Sequence, residues 1–299
     1  MLTLGRFIPL PVTPPTLFDH GAFSGQTGRV FVAHTSANCV EVIDAQAGRH
    51  LSTLPGFPEA AGIVASGDTV VVTNRGAASV SLVRASSLAY EQTFPTAVRP
   101  NGVAYAPDRA QVVVACVGTE EHPPVMQRID ALTGETVTLS LPGRPRWCVV
   151  DAAEERVFCA IREPSLVFVA DLAAFREQAQ WALPSTGAHG IDIDGAGDRL
   201  FVACDGGQLI ALRADNGTML ASWPLPGVPD ATFFSPETGR VHVAVGSPGG
   251  LVSIDPQTGQ TAILPTEDGA KTTALARPNR LFIFLPGRGG ALELIEQAR

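Results

Sequence analysis

The sequence is short of charge, and what charge it has is scattered. Only 17% of its 299 residues are Asp, Glu, Lys or Arg, and the formal net charge is −8. No run of basic residues occurs, which excludes the clustered Lys and Arg on which nucleic-acid binding depends. No stretch approaches the roughly 18 consecutive apolar residues needed to cross a bilayer as a helix, so neither nucleic acid nor membrane is an expected partner. The first fifteen residues lack the continuous apolar core and small-residue cleavage site of a secretory signal. The expected location is therefore cytoplasmic, or periplasmic if a leader has been removed. The five cysteines are odd in number, dispersed and without a C-x-x-C pair, which removes zinc-ribbon and thioredoxin readings and predicts buried free thiols. No glycine-rich phosphate loop opens a helix, so no nucleotide is expected. Asp192 to Asp198 lacks the spacing and closing Glu of an EF-hand and reads as a hairpin turn. Gly246-Ser247 has no strand-to-helix context for a nucleophile elbow, and Glu120-Glu121-His122 reads as a solvated loop.

Glycine (30), proline (24) and apolar residues (45%) are abundant. That balance suits many short strands joined by tight turns around a sizeable core. The strands repeat: Arg29–His34, Thr69–Asn74, Gln111–Cys116, Arg156–Ile161, Arg199–Cys204, Arg240–Val245 and Arg280–Leu285 share one pattern. Taking Phe31, Val71, Val113, Phe158, Phe201, His242 and Phe282 as equivalent, the spacings are 40, 42, 45, 43, 41 and 40 residues. Seven copies of this length predict an all-β, seven-bladed β-propeller of four-stranded antiparallel blades. The expected blades are 18–55, 60–94, 100–141, 145–183, 188–224, 229–265 and 270–296. The seventh copy runs out after three strands, while residues 4–10 form an orphan strand at the other end. Pairing the two closes the ring and removes both exposed edges. One domain, monomeric, is the expected outcome.

Thr69–Asn74 followed by Ala77–Val83, and Gly187–Ile193 followed by Arg199–Cys204, resemble the YVTN-repeat family of seven-bladed propellers over nearly the whole chain. That resemblance implies the fold. Its wider relatives include scaffolds, quinoprotein-like dehydrogenase subunits, lactonases and streptogramin lyases, so it leaves function open. Ala188-His189-Gly190-Ile191 also resembles the inner-strand element of streptogramin lyases, which implies a catalytic His189. A resemblance to gluconolactonase-type propellers implies a metal site, onto which Asn101 and Asp230 map.

Aligning the copies shows which side chains can converge. At the start of each innermost strand stand His20, Ala61, Asn101, Trp147, His189, Asp230 and Thr272. On the same face, at the end of the second strands, lie His34, Arg75, Arg162-Glu163 and Asp205. The functional reading is a polar channel mouth. His20, Asn101, His189 and Asp230 are the candidate ligands for a divalent metal (Zn, Mn, Mg or Ca). His189, His34, Arg162 and Glu163 are the candidate catalytic groups, with His189 as general base and Arg162 holding a carboxylate or phosphate. Two histidines at one repeat position support such a site, although a water-filled mouth also accommodates polar residues that have no role. The expected activity is a small-molecule hydrolase, metal-assisted and lactonase- or esterase-like. The alternatives are a non-catalytic binding or interaction scaffold, and a lyase with His189 as base.

Overall fold

The computed structural model describes residues 2–296 except 152, 154 and 277. Among these residues, 28 strands form seven four-stranded antiparallel sheets, and the only helical pieces are four single 3-10 turns. In six sheets the strands lie in chain order. The seventh has the order 2–9, 290–296, 280–285, 272–276, so the N-terminal strand supplies the outer strand of the last blade. Its register pairs Phe7 with Leu292 and Ile8 with Ala291. Arg6 reinforces the closure from the same strand: its Nε bonds Glu293 at 3.0 Å, and its Nη1 donates to the Ala47 carbonyl of blade 1 at 2.8 Å. The ring is thus joined across its one covalent gap. No helix among the described residues is long and apolar enough to cross a membrane.

The strand sequences follow from position within the blade. Second strands are buried on both faces by neighbouring blades, so they are apolar throughout; Val30, Phe31, Val32 and Ala33 are fully buried. Each such side chain contributes roughly 1.5–3 kcal/mol by burial. Outer strands face solvent and alternate, as in Met219–Pro224. The hydrophobic layers lie between successive blades: Phe18 meets Phe284 across blades 1 and 7, and Phe201 stacks on Phe234 across blades 5 and 6. The Arg that opens several second strands is a latch to the next blade. Arg29 donates to the Ala85 carbonyl, Arg156 to Ala214 and Arg280 to Ala45, each at 2.5 Å. The expected turn chemistry is present: Asp130 Oδ1 accepts from the Leu132 and Thr133 amides, and Gly134 takes φ +78°.

The innermost strands approach one another closely around the channel, and each of the first six carries a register shift near its start. A bulge lets consecutive residues depart from strict up-down alternation and re-aims side chains. At these bulges the residue after the mouth position is often glycine. A Cβ on Gly62 would lie 2.1 Å from the Asn101 carbonyl oxygen, and one on Gly190 would lie 2.2 Å from that of Asp230. The absence of a side chain is therefore what permits contact between adjacent blades. Gly62→Ala is expected to destabilise the fold by about 2–3 kcal/mol through overpacking, whereas Gly25→Ala, whose Cβ would meet nothing nearer than 3.9 Å, should be near neutral. Urea unfolding of the two variants against the parent checks this contrast.

Candidate functional site: the channel mouth

Five of the seven mouth positions converge on one cavity, and Ala61 and Thr272 are not in its lining. His20, Asn101, Trp147, His189 and Asp230 line one cavity of about 140 Å³, together with Asp19, Arg75, Arg99, Arg144, Arg146 and Lys271. A second, larger cavity of about 570 Å³ is lined by the innermost strands, among them Ile63, Val103, Tyr105, Asp192, Phe233 and Leu275. Trp147 contributes to both spaces. Its ring stacks on His20 with centroids 3.9 Å apart and planes 7° from parallel, which fixes the imidazole plane.

The two histidines are held by parallel arrangements. His20 Nδ1 lies 2.6 Å from Asp19 Oδ1, and the other oxygen of Asp19 accepts from Arg75 at 2.7 Å. His189 Nδ1 lies 2.7 Å from Asp205 Oδ1, and Asp205 Oδ2 accepts from Arg162 Nε at 2.7 Å. In each an Arg–Asp–His chain forms, in which the carboxylate accepts a hydrogen bond from Nδ1–H and leaves Nε2 to face the cavity. Both Nε2 atoms point to Asp230 Oδ1, at 4.0 Å from His20 and 3.5 Å from His189. Lys271 Nζ lies 3.3 Å from the second Asp230 oxygen.

Burial would raise the Asp205 carboxyl, but its bonds to His189 and Arg162 outweigh that and bring it down to about 2. Burial likewise works against the ionised form of Asp19, and His20 with Arg75 holds it well below the usual carboxylate range. Both are therefore carboxylates near neutral pH. Burial and mutual repulsion among guanidinium groups lower Arg144 and Arg146, and Arg146 Nε is buried without a hydrogen-bond partner. The lining carries five cationic side chains against two carboxylates, in a chain whose net charge is −8. Positive charge is concentrated here and is not fully compensated.

The remaining expected residues fall elsewhere. Asn101 lines the cavity, but its amide oxygen accepts from Arg75 at 2.5 Å and its nitrogen donates to the Arg146 carbonyl at 2.9 Å. Both polar atoms of the Asn101 amide are thus bonded within the protein, with Lys271 and the arginines alongside. Arg162 acts at one remove, through Asp205. Glu163 sits at the rim with 81% of its side chain exposed, 3.9 Å from Arg162. His34 is not in the cavity: its ring is buried in blade 1, bonded through Nδ1 to Glu41 at 3.0 Å. The pull of that buried carboxylate turns it from the channel. Sequence reading missed Asp19, Arg99, Arg144, Arg146 and Lys271. Three of them immediately precede a mouth residue, and strict alternation would send them away from the channel, yet the bulges in blades 1 and 4 bring Asp19 with His20 and Arg146 with Trp147 to the same cavity.

Comparison with solved structures places the chain among seven-bladed propellers. It superposes on Kuenenia stuttgartiensis hydrazine synthase with a TM-score of 0.83 at 15% identity, covering 97% of each chain. A streptogramin B lyase structure gives 0.83 at 12% identity over 98% of this chain and 97% of that one. A chain of the mitotic checkpoint complex gives 0.83 at 13% over 99% and 92%. At these identities the likeness is one of fold. No protein-family model matches the sequence, the YVTN-repeat family included, and no curated protein matches it.

Asp205→Asn should cost on the order of 2 kcal/mol at neutral pH, because a carboxyl depressed to about 2 from an unfolded value near 4 stabilises the fold while ionised. The folded-state value lies below the unfolded one, so this contribution is complete above about pH 4 and disappears as pH falls toward 2. Denaturant melts of parent and variant across pH 2–8 should therefore converge at the acid end.

Proposed function

We propose that the channel mouth is the active site of a hydrolase acting on a small ester or lactone that carries a carboxylate or phosphate. The observation that carries this reading is the opposed pair of imidazoles, each with Nδ1 fixed by a carboxylate and Nε2 facing one cationic cavity. In the proposed reaction His189 Nε2 accepts a proton from water as the water oxygen attacks the carbonyl carbon, and Asp205 stabilises the imidazolium that forms. Arg146 and Lys271 compensate the developing oxyanion, and His20 donates a proton to the departing alkoxide. Arg99 and Arg144 hold the substrate's own anionic group, since guanidinium suits carboxylate and phosphate. Proton transfer by the two histidines requires no metal at the mouth.

The same pair supports a second reading, elimination, in which His189 removes a carbon-bound proton and His20 protonates the leaving oxygen. The resemblance of the Ala188–Ile191 element to streptogramin lyases favours it. Turnover in ¹⁸O-labelled water separates the two: hydrolysis places label in the product, whereas elimination consumes no water and releases an unsaturated product.

A screen of lactones, carboxylic esters and phosphotriesters, each with and without an anionic substituent, tests the proposal. His189→Gln and His20→Gln should each lower kcat by about 10²–10⁴ with the fold retained. Arg144→Met should chiefly raise KM for the anionic substrates, by roughly 10–100-fold. Stabilisation by small dicarboxylates or phosphate without any turnover would assign the mouth to a binding module instead. The absence of both turnover and anion binding would remove the reading altogether.

A further inference from the structure

A second cluster of reactive side chains lies outside the channel, in blade 1, where neither the propeller ring nor the proposed chemistry requires it. His34 ends the second strand of the blade, and Cys39 and Glu41 stand on the third, with His34 and Cys39 directly paired across the ladder. All three are buried, with exposures of 2%, 4% and 1%. Their potential ligand atoms are mutually close: His34 Nδ1 to Cys39 Sγ is 3.5 Å, Cys39 Sγ to Glu41 Oε1 is 3.4 Å, and His34 Nδ1 to Glu41 Oε1 is 3.0 Å. Among the described residues this is the one group of three His, Cys or acidic side chains whose ligand atoms gather so tightly.

We propose that His34, Cys39 and Glu41 form a binding site for a zinc-class divalent metal, with a fourth position open to water. The separations carry the argument. Around a tetrahedral zinc with bonds of about 2.3 Å to sulfur and about 2.0 Å to nitrogen and oxygen, ligand atoms lie about 3.5 Å (S to N), 3.5 Å (S to O) and 3.3 Å (N to O) apart. The observed triangle is one face of that tetrahedron to within a few tenths of an ångström. An imidazole, a thiolate and a carboxylate are the donor types that zinc takes. The charges also close: one thiolate and one carboxylate neutralise a dication in a buried site.

The outer contacts are those of a supported ligand set. Glu41 Oε2 is occupied by His50 Nε2 at 2.9 Å and by Thr53 Oγ1 at 2.5 Å, which leaves Oε1 to face His34 and Cys39. His34 Nε2 meets Thr16 Oγ1 at 2.5 Å. When Nδ1 binds metal, Nε2 carries the ring proton and donates it to Thr16, the usual partnership of a ligating histidine. The metal also displaces the Cys39 thiol proton to solvent, one proton per ion bound. Metal binding is what would hold Cys39 as a thiolate in this buried position. Electrostatics at the channel mouth play no part in this site.

The test uses the whole chain, stripped with a chelator under reducing conditions and titrated with Co²⁺. One equivalent should give a near-ultraviolet thiolate-to-cobalt charge-transfer band together with the intense visible bands of four-coordination, and Zn²⁺ should bleach both. Saturating Zn²⁺ should raise the melting temperature by roughly 5 °C. Cys39→Ser should abolish the charge-transfer band, and Thr53→Val, which removes one of the two hydrogen bonds that hold Glu41 Oε2, should weaken binding by about 10-fold. His189→Ala should leave the spectrum unchanged. No charge-transfer band in the parent protein overturns the proposal, whatever the variants do. A band undiminished in Cys39→Ser overturns it as well, by placing the metal on another thiol.

Discussion

The close approach of the seven innermost strands is the constraint on which the rest of the molecule depends. Each blade is a twisted sheet with two apolar faces, and neither face is satisfied until another blade covers it. Covering both faces of every blade requires a closed ring, and closure requires the inner strands to pass almost backbone to backbone. Glycine at Gly21, Gly62, Gly102 and Gly190 makes that passage possible, because a Cβ at any of them would meet a backbone oxygen of the adjacent blade. The strand 2–9 then completes the outer edge of blade 7, and Arg6 and Arg280 tie that blade to blade 1. A bulge beside most of these crossings tips the preceding side chains into the channel. The site is therefore a by-product of the packing, and the same geometry that closes the ring presents His20, Asn101, His189 and Asp230 to one space.

What fills that space is governed by charge. Arginine accumulates at the mouth of an acidic protein, and only part of it is answered by Asp19, Asp205 and Asp230. Asp19 and Asp205 each join an arginine to a histidine, so their charge is spent on orienting imidazoles. Arg99, Arg144 and Arg146 are left with a surplus that a bound anion would relieve. That surplus is the ground for the proposed anionic ligand, although the four expected ligand residues are also donor types that metals take. The donor types of a metal site are also gathered in blade 1, on a pair of adjacent strands, where a buried carboxylate, thiol and imidazole face one another away from the arginines.

Much of the architecture was legible in the chain itself. The spacing of the second strands gave the blade number, their continuous apolar character reported burial on both faces, and the three-stranded last copy with an orphan strand at the opposite end implied closure. The repeat register also aligned His20, Asn101, His189 and Asp230 correctly, because equivalent positions in equivalent blades meet at the axis. The register did not disclose their neighbours. Asp19 and Arg146 sit one residue away from the mouth positions, where period-two alternation assigns the opposite direction, and only the bulges overrule that assignment. His34 fails for the converse reason. Its repeat position is at the correct face, but a carboxylate seven residues later on the paired strand captures its ring.

The sequence by itself therefore determined the quantities that are local or periodic: strand identity, turn chemistry, blade count and the candidates at each repeat position. These follow from φ/ψ preference and from burial period, both of which are written along the chain. The tertiary structure alone decided which candidates share a cavity, which acid holds which histidine, and that five cations line a space in a chain of net negative charge. Those outcomes depend on distances between residues far apart in sequence, such as Asp19 with Arg75, Asp205 with Arg162 and Asp230 with Lys271. Coulombic and hydrogen-bond energies vary too steeply over a few ångströms for residue order to specify them.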